Sequence, residues 1–173
     1  MANTYSLISS NVLSSSTASV TFSAIPATYT DLIAVASIRS DAASDETALE
    51  VTVNGSSSTY GMTFLRAQTA AGSGGLSSFS YILNSYATNG STSTASTFGS
   101  SEHYFPNYAG NKNKVISAFS VSEGNSTSYP GRAVTAGLWS TTSAITSITF
   151  TPSGAILGFV SGSSFYLYGI KSS

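Results

Sequence analysis

The chain is 173 residues long with a net charge of −1, so it carries no basic footprint for nucleic acid or for an anionic membrane surface. Only 8% of its residues are charged while 41% are hydrophobic, a balance that excludes a disordered chain and predicts a packed core under a neutral, hydroxyl-rich surface. It has no cysteine, which removes disulfides, thiolate chemistry and Cys-ligated zinc together.

Helical periodicity is nearly absent. Short alternating runs separated by Ser, Gly, Asn and Pro clusters recur along the chain, which predicts an all-β, single-domain antiparallel sandwich over residues 1–173, jelly-roll-like, with about eight to ten strands. A chain of this length buries roughly 70% of the surface its unfolded form exposes, so it needs no small-scaffold staple. No run approaches the ~18 apolar residues of a membrane span, and the opening residues lack a secretory signal, so synthesis in a cytoplasm is the simplest reading.

In chain order, Tyr5 to Ile8 reads as a first strand, and Ser19 to Ala24 places Val20, Phe22 and Ala24 on one face before Ile25-Pro26 stops it. Asp31 to Arg39 is apolar at both parities and predicts a central strand. Leu49, Val51 and Val53 alternate with Glu50, Thr52 and Asn54, and Asn54-Gly55 is a strong hairpin signal that makes Tyr60 to Leu65 the expected return strand. Residues 68–75 are Ala/Gly/Ser-rich and residues 88–96 are polar, so both read as long loops. Between them, Leu76 to Leu83 suits a strand or a short amphipathic turn equally well.

Thr97 to Phe105 is a predicted strand closed by Pro106-Asn107, and 111–114 is a turn. Val115, Ser117, Phe119 and Val121 share one strand face. Arg132 to Trp139 and Ile145 to Phe150 follow. Ile156 to Val160 is a short strand or an apolar loop over the sheet, and Ser163 to Lys171 closes the chain. In this last strand Phe165, Leu167 and Gly169 point to one side and Tyr166, Tyr168 and Ile170 to the other. Its first face fills the core. The Tyr166 and Tyr168 face is covered either by the opposite sheet or by a neighbouring chain.

Little in the sequence points to catalysis. The one histidine, His103, sits in a predicted strand beside Glu102, and adjacent strand residues face opposite ways, so the pair does not assemble a triad. Asp41, Asp45 and Glu46 are the densest acidic cluster, yet their spacing is not that of a calcium loop. Gly72 to Gly75 lacks the Gly-Lys-Ser/Thr of a phosphate loop. No catalytic residue, metal ligand or cofactor is expected. Tyrosines in or beside loops could instead stack on sugars or anchor a protein interface. The candidate interface residues are Leu76, Phe79, Tyr81, Tyr86, Tyr108, Tyr129, Tyr166 and Tyr168.

Several stretches together resemble a known family. They are Tyr5 to Ser14, Ala18 to Pro26 with Tyr29 to Leu32, Phe105-Pro-Asn-Tyr108 with Asn113-Lys114, Ala136 to Ser140 with Ala144 to Ile148, and Gly162 to Lys171. The pattern is similar to that of small structural proteins of tailed bacteriophages, notably cyanophages and other aquatic phages. It covers both ends and the second half of the chain and is weakest from Asp41 to Ser96. The resemblance implies a virion β-sandwich: a capsid cement or decoration protein bound to the major capsid protein at the capsid surface, self-associating as a homotrimer over capsomer junctions. The alternative it implies is a carbohydrate- or receptor-binding module of a fibre or baseplate, with a glycan as partner. No nucleic acid or membrane partner is expected.

Overall fold

The computed structural model describes residues 4–68, 70–123, 130–154 and 157–171. Among them there is no helix, and twelve strands form two antiparallel sheets. The larger contains β1 (Tyr5–Val12), β12 (Ser164–Ile170), β3 (Asp31–Ile38), β8 (Gly99–Phe105), β9 (Lys114–Ser122), β10 (Gly131–Trp139), β5 (Tyr60–Ala67) and β6 (Ala71–Phe79), in that order across the sheet. The smaller is β2 (Val20–Phe22), β11 (Ile148–Pro152), β4 (Glu46–Val53) and β7 (Ile82–Asn89). The fold is therefore a sandwich of unequal sheets, with more strands than the eight to ten expected.

The alternation that predicted the strands also builds the core. Leu32, Ala34, Ala36 and Ile38 of β3, Phe165 and Leu167 of β12, and Val51 and Val53 of β4 are all buried between the sheets. Phe150 packs 5.7 Å from Phe165, whose ring also meets Phe159 edge-on at 4.9 Å, so three distant segments are fastened by aromatic contacts. Phe159 bridges to Thr17 and Ser40, which makes the described part of 156–160 an apolar covering segment without a ladder of its own; Ile156 lies outside the described residues.

Two local expectations need correction. Asn54 and Gly55 do turn the chain with positive φ of 52° and 64°, but Tyr60 to Leu65 is not the return strand. β4 pairs with β11 and β7, whereas β5 pairs with β10 and β6, so this turn carries the chain from one sheet to the other. The Asn54 side chain explains why the turn does not need a hairpin: its Oδ1 accepts from the amides of Thr146 and Ser147 at 2.8 and 3.1 Å, and its Nδ2 donates to the Ala144 carbonyl at 2.7 Å. Those bonds fix the approach to β11.

Second, the Gly-rich 68–75 segment is mostly strand, since β6 begins at Ala71. Gly74 sits opposite Phe64 in the register, and a Cβ there would lie 2.7 Å from the Phe64 ring. Glycine lets that ring lie flat across the edge strand, and Arg66 in turn stacks 5.4 Å from the ring centre. In 88–96, Thr88 and Asn89 belong to β7 and the remainder is a loop. Arg39 organises that loop, donating to the carbonyls of Ser91, Ser93, Thr94 and Thr97 at 2.8–3.3 Å.

The 111–114 turn is held by a buried cation. Lys114 is 2% exposed, and its Nζ donates to the carbonyls of Gly110 at 2.6 Å, Lys112, and Thr142 at 3.3 Å. Burial lowers its pKa from the usual lysine value. Lys114→Met keeps the stem but leaves these acceptors without their donor. Urea unfolding should show a loss of about 2–3 kcal/mol, and a loss below about 0.5 kcal/mol would mean that the turn stands without the ammonium.

Candidate functional site

Two places concentrate polar or unusual side chains: the space between the sheets and the outer face of the larger sheet. Between the sheets, β7 lowers Asn84 and Ser85 onto β8 and β9. Asn84 Nδ2 donates to Ser101 Oγ at 3.1 Å, and Ser120 Oγ lies 3.0 Å from Asn84 Oδ1 and 2.5 Å from the Ser85 carbonyl. Ser101 Oγ is 3.4 Å from His103 Nδ1, and the imidazole packs edge-on against Phe150 at 5.4 Å. His103 is fully buried, and desolvation pushes its pKa down to about 3. Its Nε2 has no hydrogen-bond partner among the described residues. This imidazole is packed between the sheets against Phe150.

Glu46 joins the same layer from β4, accepting from Ser122 Oγ at 2.7 Å. Burial raises its pKa against the lowering effect of that bond. Asp41, its neighbour in sequence, instead accepts the Gly158 amide at 2.8 Å. Asp45 lies near enough to Glu46 to raise its pKa further, but the described residues hold no group of three or more His, Cys, Asp or Glu side chains fit to bind a metal ion.

The outer face of the larger sheet is different. Strand registers place its side chains in rows that cross all eight strands. One row runs Leu7, Tyr168, Ile33, Tyr104, Ser117, Ala136, Thr63 and Gly75; the next runs Ser10, Tyr166, Val35, Glu102, Phe119, Val134, Leu65 and Ser73. Among the described residues the smaller sheet does not cover it, and much of it is open to solvent. Leu65 is 65% exposed, Val115 54%, Val134 51% and Phe119 50%.

β9 and β10 turn this into an inversion of the usual pattern. In β9 the buried positions include Ala118, Ser120 and Ser122 while Val115, Phe119 and Val121 face outward; in β10 Gly131, Ala133, Thr135 and Gly137 are buried while Val134 and Leu138 face outward. Small residues are required inside because β7 lies close: a Cβ on Gly137 would meet the Ile82 side chain at 2.7 Å. Nothing inside the monomer requires the bulky residues outside. Hollows of about 340 and 540 Å³ open on this side, the first lined by Leu65, Ala67, Ala71, Phe119, Arg132 and Val134, the second by Thr63, Leu76, Tyr104, Val115, Ala136 and Leu138.

Toward β1 the face becomes aromatic. Tyr166 and Tyr168 are half-buried there, with Tyr5 exposed beside them. Tyr104 donates to Asp31 Oδ2 at 2.7 Å, while Asp31 Oδ1 accepts the Asn107 amide at 2.7 Å. The carboxylate bond, with some burial, raises the Tyr104 phenol pKa.

Of the candidate residues, Tyr166 and Tyr168 lie on this face and Leu76 lines its larger hollow. Phe79 and Tyr81 stack edge-on at 5.0 Å away from it, with Phe79 packed against the core, and Tyr81 has its phenol pKa raised by burial and by Glu50. Tyr86 is half-buried in β7 at a positive φ of 52° against Gly131. Tyr108 is a correction: it is fully buried, its hydroxyl donating to the Pro26 carbonyl and accepting the Tyr29 amide at 3.4 Å, so it fastens the core and offers no interface. Tyr129 lies outside the described residues.

Residues missed from sequence are Leu65, Val115, Val134 and Leu138. Their signal was parity within a strand, but parity alone does not say which side faces inward, and Leu65, Val115 and Leu138 each adjoin a large apolar residue, Phe64, Ile116 and Trp139. No family model matches the chain, and no curated protein matches it.

Proposed function

We propose that this chain is a non-enzymatic structural protein of a phage virion, a cement or decoration protein that binds the outer capsid surface and stabilises subunit junctions. The observation that carries the reading is the exposed outer face: the eight-stranded sheet presents Leu65, Val115, Phe119, Val134 and Leu138 to solvent, and beneath the middle of β9 and β10 its core side is lined by Ala, Ser, Thr and Gly. An uncovered apolar face of this extent is the mark of a protein completed by protein contacts. The resemblance in the chain's two ends and second half supplies the setting, with the major capsid protein as partner. Multivalent contacts across a junction would add resistance to heat and internal pressure.

The test is to strip particles of this protein and add it back. Stripped particles should lose genome at a lower temperature and regain resistance on add-back; identical melting with and without the protein overturns the reading. A second reading, a carbohydrate-binding module of a fibre or baseplate, is favoured by the Tyr5, Tyr104, Tyr166 and Tyr168 cluster beside Asp31, because aromatic rings with a neighbouring carboxylate suit a sugar. Saturable glycan-array binding, lost in Tyr166→Ala, would move the assignment to that reading.

A further inference from the structure

The outer face also indicates what covers it. Across its eight strands only three charged side chains project: Asp31, Glu102 and Arg132. Asp31 is engaged by Tyr104 and Asn107. Glu102 and Arg132 are exposed, and neither has a hydrogen-bond or ion-pair partner among the described residues.

Their placement is specific. Glu102 pairs with Phe119 across β8 and β9, Phe119 pairs with Val134 across β9 and β10, and Arg132 lies two residues along β10 from Val134. From the spacings of strands and residues the two charges stand about 12 Å apart, one on each side of the Phe119–Val134 pair. They are too far apart to meet within one chain. An isolated carboxylate and an isolated guanidinium set in apolar surface are costly to cover with a purely apolar partner, since each would be desolvated unpaired.

We propose that the outer face is covered by a second copy of this chain in a two-fold, face-to-face contact, in which Glu102 of each copy meets Arg132 of the other. A two-fold axis lying in the interface, and crossing the line between the two charges at its midpoint and at right angles, exchanges them, so one rotation satisfies both at once. The same axis passes close to Phe119. It sets the exposed Phe119 ring of each copy beside its counterpart on the other.

The contact is isologous, a different association from the threefold one that the resemblance implies.

The inference rests on the outer face being a protein interface, and it assigns that face to a second copy of the chain in place of the major capsid protein.

Sedimentation equilibrium of the full chain tests it. The wild type is expected to be a dimer at micromolar concentration. Glu102→Arg and Arg132→Glu should each weaken dimerisation at least about 10-fold by bringing like charges together. The double variant E102R/R132E should restore it. Both side chains are exposed, so circular dichroism and thermal melts of the variants should match the wild type. A monomeric or trimeric wild type overturns the proposal, as does a double variant no tighter than the single ones. A monomer that still protects stripped particles sinks the two-fold contact and leaves the capsid reading standing; a rescued dimer that gives no protection does the reverse.

Discussion

Lowering the pH below about 6.5 should destabilise this protein by about 1.4 kcal/mol for each pH unit, down to about pH 3, through His103 alone. Unfolded, the imidazole takes up a proton near its ordinary value of 6.5; folded, it resists until about 3, because burial against Phe150 leaves the imidazolium without solvent. Between those values the unfolded chain binds more protons, so stability is intact above 6.5 and falls as acid is added. Glu46 works in the opposite direction just above the ordinary glutamate range, since its raised pKa favours the folded state at low pH, and its partial burial makes that effect the smaller one.

His103→Leu is the matched control. It removes the titrating group and the unpartnered Nε2 while keeping a buried apolar contact with Phe150. Urea unfolding at pH 7 and pH 4 should give a difference of several kcal/mol for the wild type and a much smaller one for the variant. Equal differences in the two proteins would place the acid sensitivity elsewhere.

Gly90→Ala is expected to cost at least about 4 kcal/mol, as overpacking against a fixed backbone does at the upper end of single substitutions. A Cβ at Gly90 would lie only 2.1 Å from the Ser44 carbonyl oxygen and 3.0 Å from that of Ala42. Neither oxygen is free to move away: Ser91 donates to Ala42 at 2.7 Å, Thr92 to Ser44 at 3.2 Å, and Gly90 itself to Asp45 at 3.0 Å. The corner formed by 41–46 and 90–98 would have to open, and Arg39 would lose the carbonyls it holds there. Gly61→Ala provides the contrast, since its nearest neighbour would be a carbonyl at an ordinary 3.7 Å. A Gly90→Ala midpoint matching that of Gly61→Ala in urea would refute the close approach.

What the sequence made legible was parity. Alternation in β4, β9 and β12 identified the residues that share a face, and Phe165 and Leu167 were correctly assigned to the core. The sidedness of β9 was not legible, because its buried side carries Lys114, Ser120 and Ser122, and Ser120 is satisfied by Asn84 and Ser85 arriving from β7. β6 was hidden for a similar reason. Its glycines read as a linker, and they form a strand because Phe64 lies across Gly74. Tyr108 looked like a loop anchor because its acceptor, the Pro26 carbonyl, is 82 positions away. In each case the deciding contact was long-range, which local pattern does not carry.

β12 lies between β1 and β3, pairing Ile170 with Tyr5 on one side and with Asp31 on the other. β1 therefore waits for β12, more than 150 residues later, and β3 keeps one bare edge for the same interval. Closing the large sheet is a slow, non-local step. Nascent chains stalled before Ser164 would display two unpaired edges, making them substrates for chaperones and templates for aggregation, and the rate of the final docking would set the yield of functional protein in a heavily translating cell.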